Sequence, residues 1–132
     1  MKSQNIDIRK GLDFEERVKD LFKEYGFKSK RNLIFKEKGR KHQIDVFASC
    51  EKYGIAIECK YHNYLNQQKL IEIFNNLKIK IKSLGFDKPV YLLIVTKNNN
   101  LILNDKIIAI KYEDLVYFLN NLDIEINKLV KV

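Results

Sequence analysis

Residues 42–60, HQIDVFASCEKYGIAIECK, carry the clearest structural signal in the chain. Apolar and polar residues alternate from Gln43 to Ser49 and again from Ile55 to Lys60, which predicts two strands. The segment between them contains Gly54, and glycine favours tight turns because it takes positive φ without steric cost. These residues are therefore predicted to form a β-hairpin.

The position of the turn sets which residues of the two strands face each other. If the hairpin closes on residues 52–53, Asp45 lies across from Lys60, and Glu58 is its diagonal neighbour. Two carboxylates and one ammonium group should then converge on one face, because opposed residues and positions i and i+2 share a face. A slip of one residue would send Asp45 to the opposite face. That opposite face should carry the apolar residues Ile44, Val46, Ile57 and Cys59.

Two converging carboxylates suit a hard divalent cation. Mg²⁺ takes oxygen ligands and is usually held by one or two carboxylates, with water and substrate phosphate completing its shell. A neighbouring lysine can stabilise charge on a phosphoryl oxygen or help to deprotonate a metal-bound water. The alternative is that Glu58 and Lys60 form the solvated side of an amphipathic strand and that Asp45 is a surface acid. In a chain with 32% charged residues, such a pattern also arises without a function.

Length and composition indicate a soluble globular chain. Its 132 residues are expected to form one domain over residues 1–132, with 45% hydrophobic residues to supply a core. We find no apolar run of about 18 residues and no apolar signal-peptide core, so we expect a cytoplasmic protein without a membrane partner. Cys50 and Cys59 do not oppose each other in the predicted register, which predicts two reduced cysteines.

The net charge of +8 predicts an anionic partner, most often nucleic acid. Residues 28–41 contain a single acid, Glu37, and lead directly to Asp45, so this segment is a candidate for contacts with backbone phosphates. A basic run can equally be a solvated face, and the Lys-, Asn- and Ile-rich composition can reflect an AT-rich genome. The basic residues of the segment are Lys28, Lys30, Arg31, Lys36, Lys38, Arg40 and Lys41.

Upstream of the hairpin, the pattern predicts a helix and a strand. The helix should run from near Arg9 to Tyr25 and end at Gly26. Residues 27–38 should form a strand, and Gly39 with the basic residues after it should form a turn. Glu15 flanks the apolar stripe of the helix, so it is either a solvated first-turn acid or part of a site. The stripe consists of Phe14, Val18, Leu21, Phe22 and Tyr25.

Downstream, a second helix should begin at about Asn66 and end at Gly85. The continuous apolar run at 90–95 predicts a strand covered on both faces. A short strand at 107–110 and a helix from near Tyr112 complete an α/β order, α-β-β-β-α-β-β-α, with a central mixed sheet flanked by helices. The first turn of the second helix carries three side chains that are either phosphate contacts or ordinary surface residues: Gln67, Gln68 and Lys69.

Several short motifs resemble the PD-(D/E)xK nuclease superfamily. The layout is most similar to Mrr-like restriction endonuclease domains, and next to archaeal Holliday-junction resolvases. The resemblance implies a restriction-endonuclease-like fold with three layers. The motifs are GLDFE at 11–15, GF at 26–27, QIDV at 43–46, IECK at 57–60 and LIVT at 93–96.

This resemblance implies Mg²⁺-dependent hydrolysis of DNA phosphodiester bonds. Asp45, Glu58 and the main-chain carbonyl of Cys59 would hold Mg²⁺, with Mn²⁺ as a substitute. Lys60 would orient the attacking water, and Glu15 would support the site or a second ion. The basic segment would contact duplex or branched DNA, assisted by His42, with Gln67 or Gln68 near the polar position that follows the motif.

The resemblance also bears on partners. Cutting both strands, or resolving a junction, requires two sites, so a C₂ homodimer is expected, without a small-molecule cofactor. Two other functions stay open at this point. One is a nucleic-acid-binding module that kept the fold but not catalysis, and the other is an RNA-acting nuclease on the same scaffold.

Overall fold

Helices cover both faces of a mixed β-sheet. The computed structural model describes residues 2–62 and 64–132, with side chains described from Ile8 onward, His62 and Tyr64 being the neighbours of the gap. In chain order the elements are α1 (Lys2–Glu24), β1 (Lys28–Glu37), β2 (Arg40–Ser49), β3 (Gly54–Lys60), α2 (Gln67–Leu84), β4 (Val90–Thr96), β5 (Leu101–Leu103), β6 (Lys106–Lys111), α3 (Tyr112–Asn120), α4 (Leu122–Glu125), a 3₁₀ turn (Ile126–Lys128) and β7 (Val130–Lys131).

The sheet has the strand order β1-β2-β3-β4-β6-β5, and β7 pairs with β4. β2 pairs antiparallel with both β1 and β3, whereas β4 pairs parallel with both β3 and β6. The predicted α/β architecture with a central mixed sheet is therefore confirmed. Among the described residues, no helix is long and apolar enough to cross a membrane.

Two apolar clusters hold the three layers together. On one face, Phe14 and Val18 of α1 pack with Phe118 of α3 against the sheet. On the other face, Phe74 and Leu77 of α2 do the same. Successive residues of β4 alternate between the two clusters, which explains why this strand is a continuous apolar run. Each large side chain buried in this way stabilises the fold by about 1.5–3 kcal/mol.

Both long helices end at the predicted glycines. Gly26 and Gly85 have φ of 91° and 68°, the left-handed conformation that terminates a helix. The Asn66 side chain accepts a hydrogen bond from the Lys69 amide at 2.8 Å and caps the start of α2. α1 begins at Lys2 and not near Arg9. The predicted start was based on the apolar stripe, whose first residue is Phe14.

The β2–β3 hairpin turns one residue earlier than the sequence predicted. Val46 pairs with Ile57 and Ser49 with Gly54, and the Cys50 amide donates to the Tyr53 carbonyl at 2.9 Å. The hairpin thus closes on residues 51–52, two positions from the predicted register. The prediction that Asp45 lies across from Lys60 is therefore wrong. A shift of two residues keeps each side chain on its face.

Gly54 has a different role from the one predicted. It lies in β3 rather than in the turn, and its φ is not positive. A Cβ at this position would lie only 2.6 Å from Cζ of Phe47 on the paired strand. The Phe47 ring covers the backbone at this position, so a larger residue would force the ring to move.

The β1–β2 hairpin also turns earlier than predicted. Lys38 and Gly39 have φ of 49° and 79°, as in a two-residue type I′ turn, and Glu37 pairs with Arg40. The prediction of a turn formed by Gly39 and the basic residues after it is wrong. Arg40, Lys41 and His42 belong to β2.

β2 changes face at Asp45. Asn32, in the partner strand, has φ of 59°, and the otherwise continuous β1–β2 register omits the Asn32–Asp45 pair. Val46 consequently packs in the cluster under α1, whereas Ile44 packs in the cluster under α2. The prediction that Ile44 shares a face with Val46 is wrong, and Asp45 occupies the position where the strand changes face.

The C-terminal part contains elements that the pattern did not reveal. β5 joins β6 through Asn104 and Asp105, which both have positive φ. β5 has three residues and β7 has two, which is too short for an alternation to be recognised. The predicted order therefore lacked β5, α4 and β7.

Candidate active site

The ladder of paired residues between β2 and β3 ends at Val46 and Ile57. Beyond this pair, side chains make the hydrogen bonds that hold the two strands. Oδ2 of Asp45 accepts a hydrogen bond from the Cys59 amide at 2.9 Å. Nζ of Lys80, from α2, donates to the Gln43 carbonyl at 2.8 Å. The first bond links β2 to β3, and the second links β2 to α2, so both hold the strand ends in place. Asp45 thus has a structural role in addition to any chemical one.

The structure brings the carboxyl groups of Asp45 and Glu58 together. The Glu58 carboxyl group lies within hydrogen-bonding reach of Asp45, and Nζ of Lys80 lies 3.0 Å from Oε1 of Glu58. Glu58 is only 5% exposed. Burial, and next the Asp45 carboxylate, raise the pKa of Glu58 to about 7, while Lys80 lowers it. A proton retained on Glu58 or a nearby cation therefore offsets the negative charge of the pair.

Lys60 and Glu15 line a cleft of about 590 Å³ between α1 and the end of β3. Burial, and next Asp45, raise the pKa of Glu15, while Arg31 and Lys60 lower it. Lys60 therefore lies beside Glu15, and the direct partner of Glu58 is Lys80 instead. The remaining lining residues are Lys10, Gly11, Cys59, Tyr61, His62 and Lys97, so the walls carry three ammonium groups against one carboxylate.

The charges of all four candidate catalytic side chains act on one buried thiol. Burial raises the pKa of Cys59 well above its usual value, and Asp45, Glu15 and Glu58 raise it further, whereas Lys60 lowers it. The electrostatic influence of each of these groups therefore reaches the same sulfur. The carboxylate pair and the basic cleft are two sides of one region at the end of β3.

The basic segment lies along the β1–β2 hairpin at the edge of the sheet. Lys36 pairs with Lys41, and Arg31 forms an ion pair with Glu16 of α1 at 3.1 Å. The His42 ring lies 5.2 Å from the Phe35 ring, so its position is set by packing. The six lysine and arginine side chains other than Arg31 are open to solvent and accessible to a polyanion: Lys28, Lys30, Lys36, Lys38, Arg40 and Lys41.

The first turn of α2 does not contribute to the cleft. Gln67, Gln68 and Lys69 are exposed, and other residues line the cleft among those that the structure describes. The Lys69 amide, which was a candidate phosphate donor, is occupied by the Asn66 side chain. The Lys69 ammonium group lies 3.6 Å from Glu72. The alternative of ordinary surface residues fits these contacts.

Sequence reasoning missed Lys80, Lys97 and Lys10. Lys80 follows Leu77 by three positions, so it flanks the buried stripe of α2 just as Glu15 flanks that of α1. The Lys97 amide donates to the Lys60 carbonyl at 3.2 Å, because the parallel strands β3 and β4 end side by side. Only the placement of α2 and of the strand ends in space reveals these neighbours.

The donor atoms at the carboxylate pair fit Mg²⁺. Among the described residues, no group of three or more His, Cys, Asp or Glu side chains is arranged to hold a metal ion. Two carboxylates with water and a substrate phosphate are nevertheless sufficient for Mg²⁺. The contact of Lys80 with Glu58 shows that the pair already accommodates a positive charge.

The layers, strand order and helix placement define a restriction-endonuclease-like fold. One similar solved structure is a protein of unknown function, AF1548, with a TM-score of 0.54 and 24% identity over 81% of this chain and 53% of that one. Another is the small subunit of the heterodimeric restriction endonuclease R.BspD6I, with a TM-score of 0.51 and 18% identity over 83% of this chain and 67% of that one.

These similarities establish the fold. The chain spans about half the length of the first structure, 53%, and two thirds of the second, 67%. No family model matches the sequence, and no curated protein matches it.

Proposed function

We propose that this chain is a divalent-metal-dependent DNA endonuclease, of an Mrr-like or junction-resolving kind. The observation that carries the proposal is the pairing of Asp45 with Glu58 where β2 and β3 separate, beside a basic cleft that contains Lys60. The restriction-endonuclease-like fold and the net charge of +8 support the same function.

In this proposal the carboxylates of Asp45 and Glu58 hold Mg²⁺, together with the main-chain carbonyl of Cys59, and Mn²⁺ substitutes for it. The chemistry that the bound ion supplies is charge, which polarises the scissile phosphate and acidifies the attacking water. Asp45 has a second task, because its bond to the Cys59 amide fixes the distance between the two strands.

The cleft residues act on the substrate. The ammonium group of Lys60 orients the attacking water and stabilises charge that develops on the phosphoryl oxygens. Glu15 faces the same cleft, and its carboxylate keeps the lysine in position or supports a second ion. The basic hairpin binds backbone phosphates without reading bases, so binding should weaken steeply with salt.

The proposal includes a second copy of the chain. A nuclease that cuts both strands, or both sides of a junction, requires two sites, and a C₂ homodimer supplies them. The similar restriction endonuclease subunit belongs to a heterodimer. Sedimentation of this chain with and without DNA measures whether it is a monomer or a dimer.

Supercoiled plasmid should be nicked or linearised in Mg²⁺ or Mn²⁺ and left intact in EDTA, because the carboxylate pair needs the ion to act on a phosphate. Gel electrophoresis of the plasmid measures the products. A labelled duplex and a four-way junction of the same sequences, digested in parallel, distinguish Mrr-like from junction-resolving activity, and an RNA duplex tests the remaining alternative.

Tight DNA binding that EDTA leaves unchanged, without nicking in either ion, would overturn the proposal. The protein would then be a binding module on a nuclease fold.

A further inference from the structure

Lys80 places its ammonium group directly against the carboxylate pair. Nζ lies 3.0 Å from Oε1 of Glu58 and 2.8 Å from the Gln43 carbonyl oxygen. The side chain comes from α2 and crosses to the end of the sheet, where it bridges β2 and β3. It is 29% exposed, so the ammonium group also has a path to water.

This contact compensates the negative charge of the buried Glu58 carboxylate. Glu58 is buried beside Asp45, and an unpaired buried carboxylate is costly. Lys80 supplies the positive charge that makes ionisation of Glu58 tolerable in the metal-free protein. A divalent cation would serve the same purpose more strongly, and it would bind the same carboxylate.

We propose that Lys80 is an internal counter-ion that holds Glu58 in the metal-free protein and leaves this carboxylate when a divalent cation binds. The inference rests on the proposed function, because it requires a cation site at Asp45 and Glu58. An ammonium group and a divalent cation that both contact the Glu58 carboxylate repel each other. The bond from Lys80 to the Gln43 carbonyl does not involve Glu58, so the ammonium group retains a partner after it leaves.

The test is the affinity of the DNA-free protein for Mn²⁺, measured by electron paramagnetic resonance of the unbound ion. Lys80→Met removes the competing charge and keeps the length of the side chain, so the dissociation constant should fall about tenfold. Lys78→Met is the matched control. Lys78 lies on the same helix, 5.8 Å from the Phe74 ring, and its replacement should leave the affinity unchanged.

The possible outcomes distinguish the role of Lys80 from the metal site of the proposed function. Equal affinity, or weaker binding by Lys80→Met, would overturn the role of Lys80 and leave the metal site intact. Binding by Lys80→Met alone would show that the lysine blocks the site without leaving it, which would overturn the exchange. Absence of binding by both proteins would overturn the inference together with the metal site.

A measurement on the wild type keeps the inference testable even if Lys80→Met does not fold. In a Mg²⁺ titration followed by NMR, the Cε resonance of Lys80 should shift as the ammonium group leaves Glu58, while that of Lys78 should not. A Lys80 resonance that stays constant while Mg²⁺ binds elsewhere in the spectrum would contradict the exchange.

Discussion

Replacing Asp45 by Asn is expected to slow plasmid cleavage by about 10³-fold, the effect of removing several kcal/mol of metal-dependent transition-state stabilisation. The fold and the DNA affinity should not change, because the amide oxygen of Asn can still accept the hydrogen bond from the Cys59 amide. The measurement is the initial rate of nicking in Mg²⁺, with DNA affinity measured by fluorescence anisotropy in EDTA.

Two further variants separate charge from structure at this position. Asp87→Asn makes the same chemical change in an exposed loop, so it should cleave as the wild type does. Asp45→Ala also leaves the Cys59 amide without a partner, and it should lower the free energy of unfolding by about 1–3 kcal/mol. Cleavage by Asp45→Asn at the wild-type rate would show that the carboxylate is structural only.

Replacing Glu58 by Gln should stabilise the fold by about 3 kcal/mol at pH 8 and by much less at pH 4. Burial and Asp45 raise the pKa of Glu58 from 4.5 to about 7. Between these pH values the folded protein retains a proton that the unfolded chain has lost, so the stability of the wild type falls as pH rises and levels off above 7. The amide removes this loss and still accepts a hydrogen bond from Lys80.

Urea unfolding at pH 4, 6 and 8 measures this difference as a shift of the midpoint. Glu51→Gln lies in the exposed β2–β3 turn and should leave the stability unchanged at every pH. A difference between wild type and Glu58→Gln that does not vary with pH would show that the carboxyl group is not destabilised by its surroundings.

The sequence was sufficient for the layers of the fold. The α2 stripe repeats with a helical period, and the uninterrupted apolar run of β4 indicates burial on both faces, so their packing followed from periodicity. The β2–β3 register could not be predicted from periodicity. Gly54 was interpreted as a turn residue by its conformational freedom, whereas it lies in β3 with the Phe47 ring packed on its backbone. That contact is tertiary and leaves no local signal.

Part of the candidate site could also be predicted from the periodicity of the sequence. Asp45 and Glu58 could be brought together from strand alternation, since a two-residue error of register preserves the face. The role of Lys80 could not be predicted, because it depends on where α2 crosses the sheet. The change of face at Asp45 was equally hidden, since it arises from the left-handed conformation of Asn32, a non-glycine residue.

The most direct measurement is an anomalous difference map from crystals soaked in Mn²⁺, with and without a short DNA duplex. The account predicts one peak about 2 Å from carboxylate oxygens of both Asp45 and Glu58, with Lys80 no longer in contact with Glu58. A map without a peak between these carboxylates, in which Lys80 still contacts Glu58 while DNA is bound, would contradict a metal-dependent nuclease.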